Sequence, residues 1–362
     1  MSSYTRRLSG KGRLRMPLPA AISVVIPCYR VARHIEPVLA AIGPECSAVY
    51  VVDDACPEAT GDHVEAVCRD ARVRVLRHAR NGGVGAATIT GYRQALRDGA
   101  DVVVKLDGDG QMDPALIPRL VQPILEGRAD YSKGNRFFDL TALKAMPRIR
   151  LVGNGLLSFA AKLSSGYWNL FDPTNGFTAI ERRVLEQLPL GKLSRGYFFE
   201  SDLLFRLGVL RAVARDVPMP ARYGDEQSNL SLWRVPLEFT GKHLANTAKR
   251  IIYNYYLRNF TAASVELAAG LALLLFGVGF GVSAWREGAQ LAQPQTSGTV
   301  MLAALPVILG VQLLLGFVSH DVQAVPTEPL HPLLRGPQPP STPSPSSQET
   351  EAPRRPTTTN SL

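Results

Sequence analysis

Two aspartates separated by one glycine, Asp107 and Asp109, follow directly after the apolar run 102–104. Mg²⁺ and Mn²⁺ prefer oxygen ligands, usually one or two carboxylates completed by substrate phosphates and water. Ligands of an open α/β sheet bind outside the carboxyl ends of its strands, so both side chains are expected to face a crevice. Because Asp and Gly also form ordinary solvated turns, the alternative is a turn without a metal. The surrounding sequence has to decide between the two.

The length of 362 residues and the hydrophobic content of 46% allow one full-sized α/β domain with appendages. The chain has four cysteines and no C-x-x-C spacing, which argues against a zinc site or a disulfide scaffold and favours a reducing cytosol. The formal net charge is +9, without a nucleic-acid-binding motif. A phosphate-bearing substrate and an anionic membrane surface are therefore the expected partners, and nucleic acid is not.

Two uncharged apolar stretches, 267–285 and 300–318, are each long enough to cross a bilayer as a helix. Two buried helices are the alternative, but neither stretch has a polar face. Basic residues precede the first stretch, whereas the connection 286–299 contains one Arg and one Glu. The positive-inside rule then predicts an integral membrane protein whose catalytic domain and both termini are cytoplasmic.

Composition divides the rest of the chain. Residues 1–20 form a basic arm without the apolar core of a signal peptide, and Met16 is an alternative start. Residues 21–232 are the α/β domain, and 233–262 mix basic and aromatic residues as in a helix lying along lipid headgroups. A transmembrane hairpin at 263–320 follows, and the Pro/Ser/Thr-rich segment 326–362 is predicted to be disordered.

Short β-type runs alternate with helical segments through the first 126 residues, which predicts parallel βαβ units. Every strand then delivers its following loop to the same edge of the sheet. These loops carry an aromatic residue, acidic pairs and a glycine run, a mixture that suits a nucleotide. Each feature alone could be a turn, a half-buried aromatic or a close-approach loop. The strands are expected at 22–26, 48–52, 73–76 and 102–106, and the helices at 31–42, 61–69, 85–98 and 114–126.

The order of these motifs resembles the GT-A-fold glycosyltransferases of family 2, and within them the polyprenyl-phosphate sugar transferases typified by dolichyl-phosphate mannose synthase. The resemblance covers about residues 23–230. It implies a mostly parallel, Rossmann-like domain, followed here by an interfacial helix and two membrane helices. The matching stretches are SVVIPCYR, VVDDACPEATG, NGGVGAATITGY, VVKLDGDGQMDP, KGNRF, DPTNGF, GYFFESDLL and ARYGDEQSNL.

The resemblance also implies roles for individual residues. The nucleotide sugar would be held by Pro27, Tyr29, Asp53 or Asp54, with the glycine loop at Gly83 near a phosphate. Arginine bonds phosphate oxygens in pairs and stays charged, which suits the lipid phosphate. The implied metal and diphosphate ligands are Asp107, Asp109 and Gln111, and the implied acceptor-phosphate ligands are Arg136, Arg150 and Arg222.

Three positions depart from the family pattern. Val31 stands where an acidic residue is common, Val84 replaces a lysine in the glycine loop, and an acidic stretch begins at Asp225 where the family has a basic segment. These changes bear on the base contact and on the identity of donor or acceptor.

The implied reaction is displacement at the anomeric carbon with inversion, assisted by Mg²⁺ or Mn²⁺. A polyprenyl monophosphate has a second pKa near 6, so it is largely a dianion at neutral pH and needs no strong base. Asp202 in FFESDLL is the candidate base if the acceptor is a hydroxyl, and Asp202 and Glu200 could both be structural.

Two alternatives stay open. A polysaccharide or glycolipid transferase with a hydroxyl acceptor shares the donor half of the fold, although Q-x-x-R-W is absent after the acidic motif and two spans are few for a polymer channel. A non-catalytic sugar-nucleotide-binding membrane scaffold would not need the complete set Asp107, Asp109 and Gln111. A transporter would require more helices with polar interior positions.

Overall fold

The computed structural model describes residues 20–138, 148–220 and 234–334. Within them, a 7-stranded sheet has the order β3-β2-β1-β4-β6-β5-β7. Strands β1 to β4 are mutually parallel, β5 is parallel to β7, and β6 runs antiparallel to both β4 and β5. The strands are β1 (Ile22–Cys28), β2 (Cys46–Asp53), β3 (Val73–Arg77), β4 (Val102–Lys105), β5 (Tyr131–Asn135), β6 (Thr178–Glu181) and β7 (Ala214–Pro218).

Helices cover both faces of this sheet. One apolar core joins the sheet to α1, α2 and α4, and the other joins it to α3, α6 and α7. Strands β1 and β4 are buried on both faces, which explains their nearly continuous apolar sequences. The helices are α1 (Ile35–Ala40), α2 (Thr60–Val67), α3 (Val84–Arg97), α4 (Ile117–Leu125), α5 (Arg148–Ser165), α6 (Arg182–Gln187), α7 (Phe199–Leu210), α8 (Arg234–Ile251), α9 (Ala262–Leu291) and α10 (Ser297–Gln323).

The predicted α/β class with a mostly parallel sheet is confirmed. All four predicted strands are present, with ends that differ by at most two residues. The first helix is shorter than predicted and begins at Ile35, because residues 32–34 form a turn around the Val31 carbonyl. Strands β5 to β7 were not predicted, since they are short and include buried polar residues such as Lys133 and Asn135.

Helix α8 lies against the domain with its polar side. His243, Asn246 and Arg250 are buried there, while Leu244 on the same helix is exposed. A π-helical turn, Ile252–Leu257, then leads towards α9 and leaves Leu257 exposed. Buried polar groups of the predicted juxtamembrane segment therefore face the domain, while apolar side chains such as Leu244 and Leu257 are exposed together with charged ones such as Lys249.

Helices α9 and α10 are long and apolar enough to cross a membrane, with mean hydropathies of 2.1 and 2.3. They extend beyond the predicted spans 267–285 and 300–318. Gly270 and Gly310 lie where the two helices pack closely, since a Cβ at Gly270 would be 3.1 Å from the Gly310 carbonyl oxygen. Small residues at such contacts let helix backbones pack closely in a bilayer.

The segment after α10 returns to the α/β domain. The Leu330 and His331 amides donate to the buried Asp130 carboxylate at 2.8 and 2.9 Å, and Leu330 packs on the apolar core. Residues 326–334 thus differ from the disordered tail predicted for 326–362, because their backbone and one apolar side chain have partners in the domain. Residues 335–362 and the first 19 residues lie outside the described part.

Candidate active site

Three charged side chains meet where β4 ends. The Lys105 Nζ lies 2.6 Å from Asp107 Oδ1 and 3.1 Å from Glu200 Oε1. Lys105 and Asp107 are two residues apart and so share one face of the extended chain, while Glu200 comes from the first turn of α7. Gly176 closes the cluster, because a Cβ there would collide with Asp107 and Lys105.

Burial and charge act in opposite directions on this cluster. Burial alone lowers the pKa of Lys105, but the charges of Asp107 and Glu200 outweigh it and hold that pKa above its ordinary value. Burial raises the pKa of Glu200, and the Lys105 charge offsets only part of that rise. Lys105 is therefore a permanent cation against two acids. Lys105 is part of the motif VVKLDGDGQMDP, and only these contacts give it a role.

The turn after β4 fits a divalent cation by its donor types. Lys105 contacts only Oδ1 of Asp107, which leaves Oδ2 of that carboxylate for a cation. Asp109 Oδ1 accepts a hydrogen bond from the Gln111 backbone amide at 2.9 Å, and this bond folds the turn. Gly110 adopts a φ of +76° in this turn, a conformation that glycine permits at little cost. No group of three His, Cys, Asp or Glu side chains within the described ranges could hold a metal by itself. A cation here would need phosphate oxygens and water, as hard cations at nucleotide sites do.

The acidic pair after β2 is engaged by the protein. Asp53 accepts the amides of Cys56 and Gly61 at 2.7 and 2.6 Å, and so shapes the start of α2. Asp54 accepts the Gly82 and Gly83 amides at 2.9 and 2.7 Å. The Asp54 carboxylate thus holds the glycine loop in place. A nucleotide-binding role for either one stays a prediction.

Gly83 lies against a second loop. Its φ is +91°, and an added Cβ would be 2.7 Å from the Arg195 carbonyl oxygen. The Ala86 amide donates to that same carbonyl at 3.1 Å. In the described conformation, the amides of Gly82, Gly83 and Ala86 therefore have protein acceptors, and the loop's glycines serve a close backbone approach.

The β1 loop presents an open aromatic ring. Pro27 is buried at the end of β1, whereas Tyr29 is 44% exposed. The Arg30 guanidinium lies 5.5 Å from the centre of the Tyr29 ring, and Arg30 itself has a φ of +59°. An exposed ring beside a cation suits stacking of a planar base.

Of the three predicted acceptor arginines, Arg136 is described in full. Its Nε and Nη2 donate to the two Asp172 oxygens at 2.8 and 2.7 Å. Burial by itself raises the pKa of Asp172, but the hydrogen bonds and charge of Arg136 hold it below the ordinary value. The backbone of Arg150 lies in α5 without a described side chain, and Arg222 lies outside the described residues.

Asp202 lies apart from this cluster. Its Oδ2 accepts the Ser194 amide at 2.9 Å and lies 3.2 Å from Arg206 Nε. The Asn246 amide of α8 is 3.5 Å from its other oxygen. Of the two acids in FFESDLL, the one beside Asp107 is thus Glu200, not Asp202. The sequence shows the spacing of these two acids along a helix, but it does not show which side of α7 faces β4.

Comparison with known proteins agrees with this architecture. Residues 23–189 match the family model for glycosyl transferase family 2. Polyprenol monophosphomannose synthase of Mycolicibacterium smegmatis is 31% identical over 188 residues, which are 51% of this chain and 70% of that protein. Undecaprenyl-phosphate mannosyltransferase of Micrococcus luteus is 34% identical over 175 residues, 48% of this chain and 71% of that protein.

Among solved structures, glucosyl-3-phosphoglycerate synthase from Mycobacterium tuberculosis, in complex with Mn²⁺, uridine diphosphate and phosphoglyceric acid, has 24% identity and a TM-score of 0.47. The alignment covers 64% of this chain and 78% of that one. The two relatives named above are each at least 30% identical to this chain and match it over more than two thirds of their own length. The chain belongs to glycosyltransferase family 2.

Proposed function

We propose that this glycosyltransferase moves a sugar, with inversion, from a nucleoside-diphosphate sugar to a polyprenyl phosphate at the cytoplasmic face of a membrane. The observation that carries the proposal is the cluster of Asp107, Lys105 and Glu200 at the carboxyl end of β4, in a chain that continues into two apolar helices. Both relatives quoted above are named for transfer of mannose to a polyprenyl phosphate. Such an acceptor would be a membrane lipid, and the two apolar helices of this chain would bring the domain to it.

The donor side follows from the oxygen-rich turn. Asp107 and Asp109, with Gln111, would hold Mg²⁺ or Mn²⁺, whose charge stabilises the leaving nucleoside diphosphate. Lys105 fixes one oxygen of Asp107 and so orients the carboxylate before any ligand arrives. The exposed ring of Tyr29 would stack on the base, and Asp53 and Asp54 would support the loops around it.

The acceptor side rests on charge. Arg136 follows β5 directly, and Asp172 holds its planar guanidinium in a fixed orientation, with the side chain 30% exposed. A preoriented guanidinium loses little freedom when it pairs with phosphate oxygens. A phosphate acceptor that is already a dianion attacks without a base, so none of the site acids is required to remove a proton.

The topology is supported by contacts at both ends of the hairpin. Helix α8 packs on the domain before the first apolar helix, and His331 packs on it after the second. Both hairpin ends therefore lie on the domain's side, and the basic flank 242–258 favours the cytoplasm for that side.

One observation favours a second candidate, transfer to a hydroxyl group. Glu200 is buried beside Asp107 and has a raised pKa, which are properties of a general base tuned towards neutral pH. In that case Glu200 would take the hydroxyl proton. Replacing Glu200 by Gln separates the two acceptors, because only a hydroxyl acceptor would need the carboxylate as a base.

The direct test uses membranes that contain the full chain, a panel of labelled nucleotide sugars and added polyprenyl phosphate. We expect label to enter an organic-solvent extract as an acid-labile sugar phosphate, and to depend on a divalent cation. Label that enters only protein or polymer would contradict the proposal. As a membrane control, a chain that ends at Asn259 should leave the membrane pellet, whereas the full chain should stay.

A further inference from the structure

A second basic site lies away from the Asp107 cluster. A cavity of about 470 Å³ is lined by three arginines, Arg211, Arg250 and Arg258, and by a single aspartate, Asp321. Its formal charge is +2 with His320 neutral. The volume is within the range of roughly 300–1,000 Å³ found for small-molecule sites.

The cavity is separate from the catalytic centre. Glu200 lies in the first turn of α7 and Arg211 follows its end, so the rise of 1.5 Å per residue puts roughly 16 Å between them along the helix axis. Other walls come from the end of α5, the π-helical turn, the start of α9 and the end of α10. These walls are where the domain meets the two apolar helices, so the cavity lies at the level of a lipid headgroup if those helices cross a bilayer.

The three arginines of the cavity differ in whether a carboxylate neutralises them. Arg250 is neutralised by Asp321, with Nη1 and Nη2 at 2.6 and 3.0 Å from its oxygens. Within the part of the chain that the structure describes, Arg211 and Arg258 have no carboxylate partner. The Arg258 guanidinium lies 5.4 Å from the centre of the Tyr253 ring, which orients it without cancelling its charge.

Two further features point to a polar ligand. Arg211 has a φ of +66° at the end of α7, where glycine is favoured, so the chain bears backbone strain to put an arginine there. Asn254 on the cavity wall has a buried Oδ1 without a hydrogen-bond donor among the described residues. A headgroup that combines a phosphate with hydroxyl donors would satisfy both kinds of group.

We propose that this cavity binds the phosphate headgroup of an anionic membrane phospholipid, with Arg211 and Arg258 as its phosphate ligands. Arginine forks pair with phosphate oxygens, and the exposed Tyr253, Tyr256 and Phe260 would sit beside the acyl chains at the interface. The lipid would join the domain to the hairpin. The proposal rests on membrane insertion, which is part of the proposed function, but it does not require sugar transfer.

The test reconstitutes the full chain in phosphatidylcholine with and without phosphatidylglycerol, and counts the phosphatidylglycerol retained after detergent extraction by native mass spectrometry. We expect selective retention of phosphatidylglycerol, and affinity weakened roughly tenfold or more in the double variant R211A/R258A, through loss of two charge-assisted contacts. The matched control R97A/R286A removes the same charge from exposed positions elsewhere. The variant R211K/R258K keeps the charge and should recover part of the retention, which separates binding from misfolding.

Equal retention by R211A/R258A and the control would overturn the proposal. Displacement of the lipid by an equal concentration of inorganic phosphate would also overturn it, in favour of a soluble phosphate ligand. A rise in the KM for polyprenyl phosphate that parallels the lost retention would identify the cavity as an acceptor site instead. Retention is measured without donor or acceptor, so it stays informative if sugar transfer fails, and D109A should retain the lipid normally.

Discussion

The ammonium group of Lys105 lies 2.6 Å from the Asp107 carboxylate, and both side chains come from the end of a strand buried at the centre of the sheet. Lys105 is almost completely buried, and the contacts with Asp107 and Glu200 offset the cost of removing its charge from water. The same contact removes the rotational freedom of a carboxylate that is proposed to bind a metal. Fold stability and site orientation therefore depend on one ion pair.

Replacing the cation of this pair should destabilise the domain. Lys105→Met would leave Asp107 and Glu200 without their shared partner, and we expect the free energy of unfolding to fall by about 3–5 kcal/mol, as for other broken buried ion pairs. Denaturant titration measures this change. K105M/E200L should regain part of the loss, and the exposed-site variant K192M should have almost none. A K105M variant as stable as the parent would contradict the assigned contact.

The two acids of the turn after β4 can be separated from a third one nearby. Asp109→Ala should lower sugar transfer by about 100-fold or more, the scale found when a charge-stabilising group is removed. Membrane association should be unchanged. Asp113 lies in the same motif, and its carboxylate caps the next turn by accepting the Ala115 amide at 3.0 Å. Asp113→Asn keeps a capping side chain and should retain most activity, so equal losses in both variants would argue against a metal site.

The acceptor class can be read from Glu200. For a phosphate acceptor, Glu200→Gln should keep kcat within about tenfold, whereas a general base would make the loss about 10²–10⁴-fold. Steady-state kinetics with polyprenyl phosphate decides between them. Asp202→Asn serves as comparison: it weakens the contacts to Ser194 and Arg206 and should cost about 1–3 kcal/mol of stability, with little change in kcat.

His243 should make the domain sensitive to mild acid. Burial lowers its pKa to about 4 from an ordinary value of 6.5, so the unfolded chain binds a proton between these values and the folded chain does not. Stability contributed by the neutral ring is therefore complete above pH 6.5 and is lost as the pH falls towards 4, by about 3 kcal/mol. A plot of the free energy of unfolding against pH should be flatter across this range for His243→Gln than for the parent protein. An unchanged slope would assign the acid sensitivity to other groups.

Asp321 joins three parts of the chain. It accepts Tyr255 Oη at 2.6 Å and Trp168 Nε1 at 2.8 Å, and it pairs with both Arg250 nitrogens. Asp321→Ala would leave the buried Arg250 charge unpaired, at a cost of about 3–5 kcal/mol. Limited proteolysis should then cut between the domain and the last helix. R250M/D321L replaces the pair by apolar side chains and should restore resistance to the protease. If the double variant were cut as readily as Asp321→Ala, the two residues would not act as a pair.

Local patterns determined the class of the fold and the chemistry of the site. Apolar runs of strand length, each followed by a helical segment, require parallel strands, and parallel strands bring their following loops to one edge. Tyr29, Asp53, Asp54 and Asp107 could therefore be grouped from the sequence. The apolar stretches that became α9 and α10 were equally legible, because crossing a bilayer depends on length and composition.

Tertiary structure decided which groups those residues actually meet. Nothing in the spacing of FFESDLL specifies that Glu200, not Asp202, faces Lys105, because that depends on how α7 is rotated against the sheet. The pairing of Arg250 with Asp321, 71 residues apart, likewise depends on the return of α10 to the domain. A buried charge requires a polar or charged partner, and the packing of distant elements determines which residue that partner is. A sequence pattern can therefore indicate that a partner is required, but it does not identify the partner.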